Sequence, residues 1–420
     1  MRVLPGPVQQ KRHCWKRCGR CHESVMCMTK QAVIFGAGNV GRGFIGQLCA
    51  ESGYELVFVD IDQELLDAIN ARGYYTLRLV TNESQEEIQI GPARGIHADD
   101  QEAVARALAE ADLAATAVGA RALPILAKHL AAGIVQRAQT RVDAPLNVII
   151  CENLRDAASI FRQLVRKQLP QEYHDYLDSH TGFVMTIISR MLPVLPPEQR
   201  AQDPTLVVAE PYKHLPVDRS GFVGPIPNIV GMEPKDDFGA WVERKLYIHN
   251  GGHAVLAYLG YQRGHTYGYE ALGDPVVRVK VEQAMWEAAQ ALAAEHGFAL
   301  VELKAHIADI LRRTENRILG DTILRLARDP LRKLGPRDRL VGGAQLALAH
   351  QIKPDAIVWG IAAGLAYDEP KDPWAQELQA QLRSTGLDGV LQSVCGLDPA
   401  GKLARLIRDR YSALCAGGLS

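Results

Sequence analysis

Gln31-Ala32-Val33-Ile34-Phe35-Gly36-Ala37-Gly38-Asn39-Val40-Gly41 is the stretch that decides the fold. Its first half is a short apolar strand, Ala32 to Phe35, and its second half is G-x-G-x-x-G. Residues 43–52 then read as a helix, and Glu55-Leu56-Val57-Phe58-Val59-Asp60 reads as a second strand. A lone G-x-G-x-x-G is a weak signal. Here it follows a strand and opens a helix, and an acid stands nineteen residues beyond Gly41. In that context Gly36 permits the tight turn, Gly38 lets the backbone approach a pyrophosphate, and Gly41 lets helix and strand pack closely. The turn, with Ala37, Asn39 and Val40 between the glycines, leads to a helix N-terminus whose free N–H groups suit phosphates. Asp60 would accept hydrogen bonds from a ribose 2′-OH and repel a 2′-phosphate, so the expected cofactor is NAD.

Outward from this turn the same alternation continues. Leu113 to Val118 and Leu146 to Cys151 are further apolar strands, with helical periodicity at 101–110 and 122–132. Continuous apolar strands between amphipathic helices indicate a parallel sheet covered on both faces. The expected fold class is α/β, with a Rossmann-type doubly wound sheet over 28–195. After about 195 the chain turns loop-like at 195–198 and 221–234. It then reads as helices at 236–262, 274–297, 301–313, 318–328, 338–350, 354–366, 374–385 and 400–413. Residues 196–415 are therefore expected to form a mainly α-helical substrate and catalytic domain.

The chain has 420 residues, 47% of them hydrophobic and 23% charged, with a net charge of −1. Such a balance gives no global field for nucleic acid or an anionic membrane. No stretch approaches the roughly 20 apolar residues of a membrane span. The chain reads as a soluble cytoplasmic protein with a small-molecule partner, no nucleic acid or membrane, and no evident protein partner. Residues 1–27 are basic without an apolar h-region, so they read as a disordered leader rather than a secretory signal. Cys14, Cys18, Cys21 and Cys27 crowd this leader, but C-x3-C-x2-C-x5-C lacks paired zinc-ligand spacing. Elsewhere no Cys/His/Asp cluster has metal-ligand spacing, and no metal is expected.

A second informative segment is Glu243-Arg244-Lys245-Leu246-Tyr247-Ile248-His249-Asn250-Gly251-Gly252-His253. On an α-helix Lys245, Asn250 and His253 fall within an arc of about 140°. A cation, an amide and an imidazole would thus share one side. Two adjacent glycines in a helix each cost about 1 kcal/mol against alanine, which suggests close approach by another group.

These landmarks resemble the polyol-specific long-chain dehydrogenases, from about Gln31 to Tyr411. FGAGNVGRGFIG at 35–46, TAVG at 116–119, LNVIICEN at 146–153 and PNIVGME at 227–233 carry the resemblance. ERKLYIHNGGHAVLAYLG at 243–260 and DPLRKLGPRDRL at 329–340 complete it. The resemblance implies metal-independent hydride transfer, with Lys245 of K-x4-N-x2-H as general acid/base. It implies that Asn250 and Asn153 hydrogen-bond the reacting oxygen and that His253 orients a substrate hydroxyl. Thr116, Ala117 and Val118 would line the cofactor. Arg325 and Lys333 match basic positions that contact substrate hydroxyls, and Arg332 and Lys213 could receive a phosphate. A lysine that takes a proton near pH 7 needs its pKa depressed by burial or a cation. Arg244 is the adjacent candidate, and His249 reads as structural.

There are departures. Ile188-Ser189-Arg190 stands where the family has V-D-R, so Ser189 supplies a hydroxyl but no charge near the substrate. R-T-E-N-R at 313–317 replaces R-F-x-N-P. The expected reaction interconverts mannitol 1-phosphate and fructose 6-phosphate. A free hexitol and a uronate such as tagaturonate remain alternatives, as does a silent NAD-binding regulator.

Overall fold

The computed structural model describes residues 30–140, 143–154 and 156–418. The leader and its cysteines lie outside them. The strands are β1 (Lys30–Phe35), β2 (Tyr54–Asp60), β3 (Tyr75–Val80), β4 (Gln85–Ile90), β5 (Ala93–His97) and β6 (Leu113–Thr116). They continue as β7 (Leu146–Ile150), β8 (Thr181–Met185), β9 (Val207–Ala209), β10 (Leu215–Asp218) and β11 (Met232–Lys235). Six of them form one parallel sheet in the order β5-β2-β1-β6-β7-β8. The winding reverses at β1, which pairs Ile34 with Phe58 on one side and with Ala115 on the other. In such sheets the crevice beyond the strand ends at this switch point is where ligands bind.

Alternate residues of β1 enter different cores. Ala32 and Ile34 pack with Phe44, Leu48 and Phe58, while Val33 and Phe35 pack with Leu108, Leu130 and Val148. Burial on both faces explains why these strands read as unbroken apolar runs. The expected doubly wound sheet is the one the chain forms.

The sheet-bearing half extends past the boundary expected near 195. β9 pairs with β3, aligning Val207 with Leu77, and Val207, Leu215, Val217 and Ile229 join the core that holds Ile34. Strands of three or four residues carry too little periodicity to be read from sequence. Helices take over at Phe238. The rod from there to Gln262 has three segments: an α-helix Phe238–Arg244, a π-helix Lys245–Asn250 and an α-helix Gly251–Gln262. Asp237 caps its start by accepting from Ala240 N at 3.3 Å. A Cβ on Gly251 would stand 3.1 Å from the Arg339 carbonyl oxygen, and one on Gly252 would stand 2.0 Å from Met285 Cε. Close approach from both sides explains the two glycines.

The helix expected over 318–328 is broken instead. A single 3-10 turn, Arg317–Leu319, stops at Gly320 with φ +59°, and Ile323–Ala327 restarts behind the Thr322 cap. The two halves are joined by a buried ion pair. Glu210 accepts from Arg313 Nε at 2.8 Å and Nη2 at 2.6 Å, and each side chain is 3% exposed. Arg190 donates to the Glu210 carbonyl at 2.6 Å and to the Gly43 carbonyl and Gln47 Oε1, both at 2.7 Å.

Candidate active site

The glycine turn lies where β1 meets β6. Gly36 adopts φ +96°, and a Cβ there would fall 2.5 Å from the Ala117 carbonyl oxygen. Gly41 is tighter, with its virtual Cβ 1.9 Å from the Gly36 carbonyl oxygen. Gly38 differs from both: it is exposed and nothing lies within 4 Å of its virtual Cβ. Two glycines thus serve the fold, while the third leaves open the approach that a pyrophosphate needs. Ala37 is buried and its N–H donates to Asp60 at 2.6 Å. Asn39 donates to the Pro193 carbonyl at 3.1 Å, and Val40 stands at the head of the π-helix Gly41–Gly46. Asp60 also accepts from the N–H groups of Ile61 and Asp62, so its carboxylate pins the turn to the end of β2.

At the ends of β6 and β7 one residue organises the loops, and sequence reading assigned it no role. Glu152 accepts from the buried Thr116 hydroxyl and, at 3.2 Å, from Val118 N. It ties the T-A-V segment, with Ala117 between its two contacts, to the loop that carries Asn153. Its signal was present as the middle letter of C-E-N.

The rod brings Lys245 to that loop: Lys245 Nζ lies 3.4 Å from Asn153 Oδ1. The π segment accounts for the spacing. A π turn closes i→i+5 hydrogen bonds, so Lys245 and Asn250, five residues apart, stand about one turn apart. An α-helix would have splayed them by about 140°. Lys245 is half-buried, and its pKa is pushed down to about 8, chiefly by burial and then by the charge of Arg339. The cation that acts on Lys245 is thus Arg339 and not the expected Arg244, whose guanidinium stacks over Trp241 at 4.4 Å.

His253 follows one turn after His249, with the two rings edge to face at 4.6 Å. Burial, helped by Arg313, Arg325 and Arg339, lowers the His253 pKa to about 3, so the ring is neutral. Its Nε2 is 3.1 Å from Thr314 Oγ1, whose own proton goes to the Ile310 carbonyl at 2.8 Å. His253 Nε2 therefore carries the hydrogen, and Nδ1 is left as the acceptor. Thr314 comes from R-T-E-N-R, one of the departures from the family pattern.

The basic candidates are less available than their charges suggest. Arg325 pairs with Asp321, and Arg332 pairs with Asp329 at 2.9 Å. Lys213 donates to both carboxylate oxygens of Glu51, at 2.8 and 2.9 Å. Lys333 is buried and donates to the main-chain carbonyls of Leu326, at 2.6 Å, and Arg328, and burial pushes its pKa down to about 7. These bonds stitch the turn that joins two short helices. Ser189 is buried too, with its carbonyl accepting from Arg313 at 2.5 Å. Among the described residues no group of three or more His, Cys, Asp or Glu is set to hold a metal, and no helix is long and apolar enough to cross a membrane.

The likeness to known proteins runs through nearly all of the described chain. A family model described as the mannitol dehydrogenase Rossmann domain matches residues 30–231, and one described as the mannitol dehydrogenase C-terminal domain matches 237–393. The chain is 39% identical over 378 residues to a mannitol-1-phosphate 5-dehydrogenase of Bacillus pumilus, covering 90% of this chain and 98% of that one. The corresponding enzyme of Bacillus subtilis is 39% identical over 383 residues, covering 91% and 99%. Among solved structures, Pseudomonas fluorescens mannitol 2-dehydrogenase, in ternary complex with NAD and D-mannitol, shares the fold. Its TM-score is 0.72 at 18% identity, and 93% of each chain is covered. A D-sorbitol dehydrogenase in substrate-free form shares it as well, with a TM-score of 0.77 at 17% identity over 92% and 93% of the chains.

Proposed function

The chain belongs to the mannitol dehydrogenase family, and we propose that it interconverts mannitol 1-phosphate and fructose 6-phosphate with NAD as its hydride carrier. The observation that carries this reading is the meeting of Lys245 with Asn153, on the same helical rod that carries the neutral His253. The Rossmann half fits the cofactor: Gly38 is open, and Asp60 offers a carboxylate at the turn. Bound NAD supplies the hydride acceptor for the alcohol carbon.

The side chains supply the proton chemistry. With a pKa near 8, Lys245 is chiefly protonated at pH 7 and donates to the carbonyl oxygen of the ketose during reduction. In the oxidative direction the free amine above that pH takes the hydroxyl proton. Asn250 and Asn153 carry amides that donate to an oxygen bearing developing negative charge, the kind of contact that stabilises such transition states. His253, with Nε2 committed to Thr314, offers Nδ1 as acceptor for a neighbouring substrate hydroxyl.

Following nicotinamide absorbance with fructose 6-phosphate, fructose and tagaturonate in parallel tests the reading. Fructose 6-phosphate should exceed fructose by at least about 100-fold in kcat/KM, equivalent to about 2.8 kcal/mol. Equal rates with fructose would make the substrate a free hexitol. Faster turnover of tagaturonate would make it a uronate, and a silent chain would leave only a cofactor-binding protein.

A further inference from the structure

Each of the four basic residues that the sequence offers to an anion is already held, by a carboxylate or by main-chain carbonyls. Arg332, held by its carboxylate at Nε alone, is 51% exposed, whereas Arg339, held at Nε in the same way, is largely buried. The Arg339 side chain is 10% exposed, and Nε donates to Asp338 Oδ1 at 2.7 Å. Among the described residues neither Nη1 nor Nη2 of Arg339 has a hydrogen-bond partner. Asp338 therefore grips one edge of the guanidinium and aims the other. The same carboxylate reaches Arg332 only at 3.9 Å.

The position is as telling as the open edge. The main chain of residue 339 lies against the rod at Gly251, between Asn250 and His253 in sequence. The side chain is largely buried, and its charge is felt at Lys245, His253 and Lys333. A planar fork with two free N–H groups is the shape that binds a phosphate through parallel hydrogen bonds.

We infer that the open Nη edge of Arg339 binds the phosphate of the substrate, and that this arginine, not Arg332 or Lys213, sets the preference for a phosphorylated ketose. The inference rests on the function proposed above and adds to it the residue that recognises the anion. Asp338 is a positioning residue in this arrangement, and the glycine at 251 is what lets the arginine come so close.

The test is ketose reduction at pH 7 with NADH, comparing wild type with Arg339→Gln, Arg339→Lys and Arg332→Gln. Lys245 is already mostly protonated at that pH, so loss of the Arg339 charge leaves the proton donor in its working form. Reduction of fructose then reports the chemistry alone, and fructose 6-phosphate adds the anion contact. Arg339→Gln should lower the ratio of kcat/KM for fructose 6-phosphate to that for fructose about 100-fold, mainly through KM for the phosphate ester. Arg339→Lys, which keeps the charge without the fork, should lose about tenfold. Equal losses on both ketoses would overturn the inference. So would a preference erased by Arg332→Gln and untouched by Arg339→Gln.

Inorganic phosphate provides a separate readout. It should inhibit the wild type competitively against fructose 6-phosphate and inhibit Arg339→Gln at least about tenfold more weakly. If the wild type shows no preference for fructose 6-phosphate, the proposed function fails. Inhibition of fructose reduction by phosphate then decides the anion site alone, with unchanged inhibition overturning it. Should Arg339→Gln not fold, Arg339→Lys carries the comparison, and an unaltered ratio of the two ketoses overturns the assignment.

Discussion

The π turn Gly41–Gly46 in the sheet-bearing half and the π turn Lys245–Asn250 in the helical half are each six residues long, and each runs on into an α-helix. Every residue of the first is buried. Its three glycines meet the Gly36 carbonyl, the Leu192 and Val207 side chains, and the Tyr75 hydroxyl. Its one charged side chain, Arg42, is committed to the carbonyls of Ala37 and Thr205, both at 2.5 Å. In the second turn only Ile248 and His249 are buried, and Lys245 opens towards Asn153. The same backbone device widens a helix start for close packing in one half and presents Lys245, the proposed proton donor, to the Asn153 amide in the other. Damage to the first should register as lost packing or cofactor affinity, and damage to the second as lost turnover with the fold intact.

The largest effect expected is from Lys245→Ala. Removing a positioned proton carrier typically costs about 10²–10⁴-fold in rate. The variant should fall by that amount in kcat while its NADH fluorescence titration stays at the wild-type value. A rate near wild type would break the contrast by stripping the second turn of its chemistry.

Next comes pH. Burial and Arg339 bring Lys245 down to about 8, and reduction uses its protonated form. Between pH 7 and 10, where the substrate phosphate is already dianionic, kcat/KM for reduction should hold until about 8 and then fall roughly tenfold per unit. Oxidation should climb over the same range and level off above 8. A reduction profile flat to pH 10 would assign the proton to another group.

Glycine substitutions at the start of the first turn and in the loop before it sharpen the comparison further. A Cβ on Gly41 meets a main-chain oxygen that cannot swing aside, and overpacking of this kind costs about 1–3 kcal/mol. Gly41→Ala should therefore lower Tm in a thermal melt. Gly38→Ala has empty space around its Cβ, so it should melt like wild type and lose NADH affinity only. Identical melts for the two variants would mean that Gly41 is not a packing glycine.

The smallest effect concerns Asp60. Asp60→Ala should reduce the preference for NADH over NADPH by about tenfold, close to 1.4 kcal/mol. Equal preference before and after would detach Asp60 from cofactor choice and leave it as a pin for the turn.

What could be read from sequence divides by range. The glycine turn, the strands of β1 and β2 and the K-x4-N-x2-H pattern are local, and their chemistry is written in consecutive letters. The π turn from Lys245 to Asn250 was not legible, because an assumed 3.6-residue turn leaves the two residues at opposite ends of the 140° arc. Glu152, Thr314 and Arg339 reach the site from distant parts of the chain, and no spacing links them to Lys245. The basic cluster misled in another way. Arg325, Arg332 and Lys213 look like a free cationic surface in sequence, but Asp321 and Asp329 pair with the two arginines at i,i+4 and i,i+3 spacing, and Lys213 gains Glu51 through tertiary folding. Lys333 disappears beneath carbonyls that no pattern announces. β9 to β11 were missed because three- and four-residue strands take their identity from their partners.

The buried meeting of Arg190, Glu210 and Arg313 has a consequence for how this chain comes apart. Arg313 belongs to the helical half, and the other two residues belong to the sheet-bearing half. Pulling the halves away from each other would break the Arg313–Glu210 pair, and where the sheet-bearing half keeps Glu210 buried the stranded carboxylate would cost about 3–5 kcal/mol. That penalty couples the melting of one half to the melting of the other, so the two behave as a single cooperative unit of unfolding.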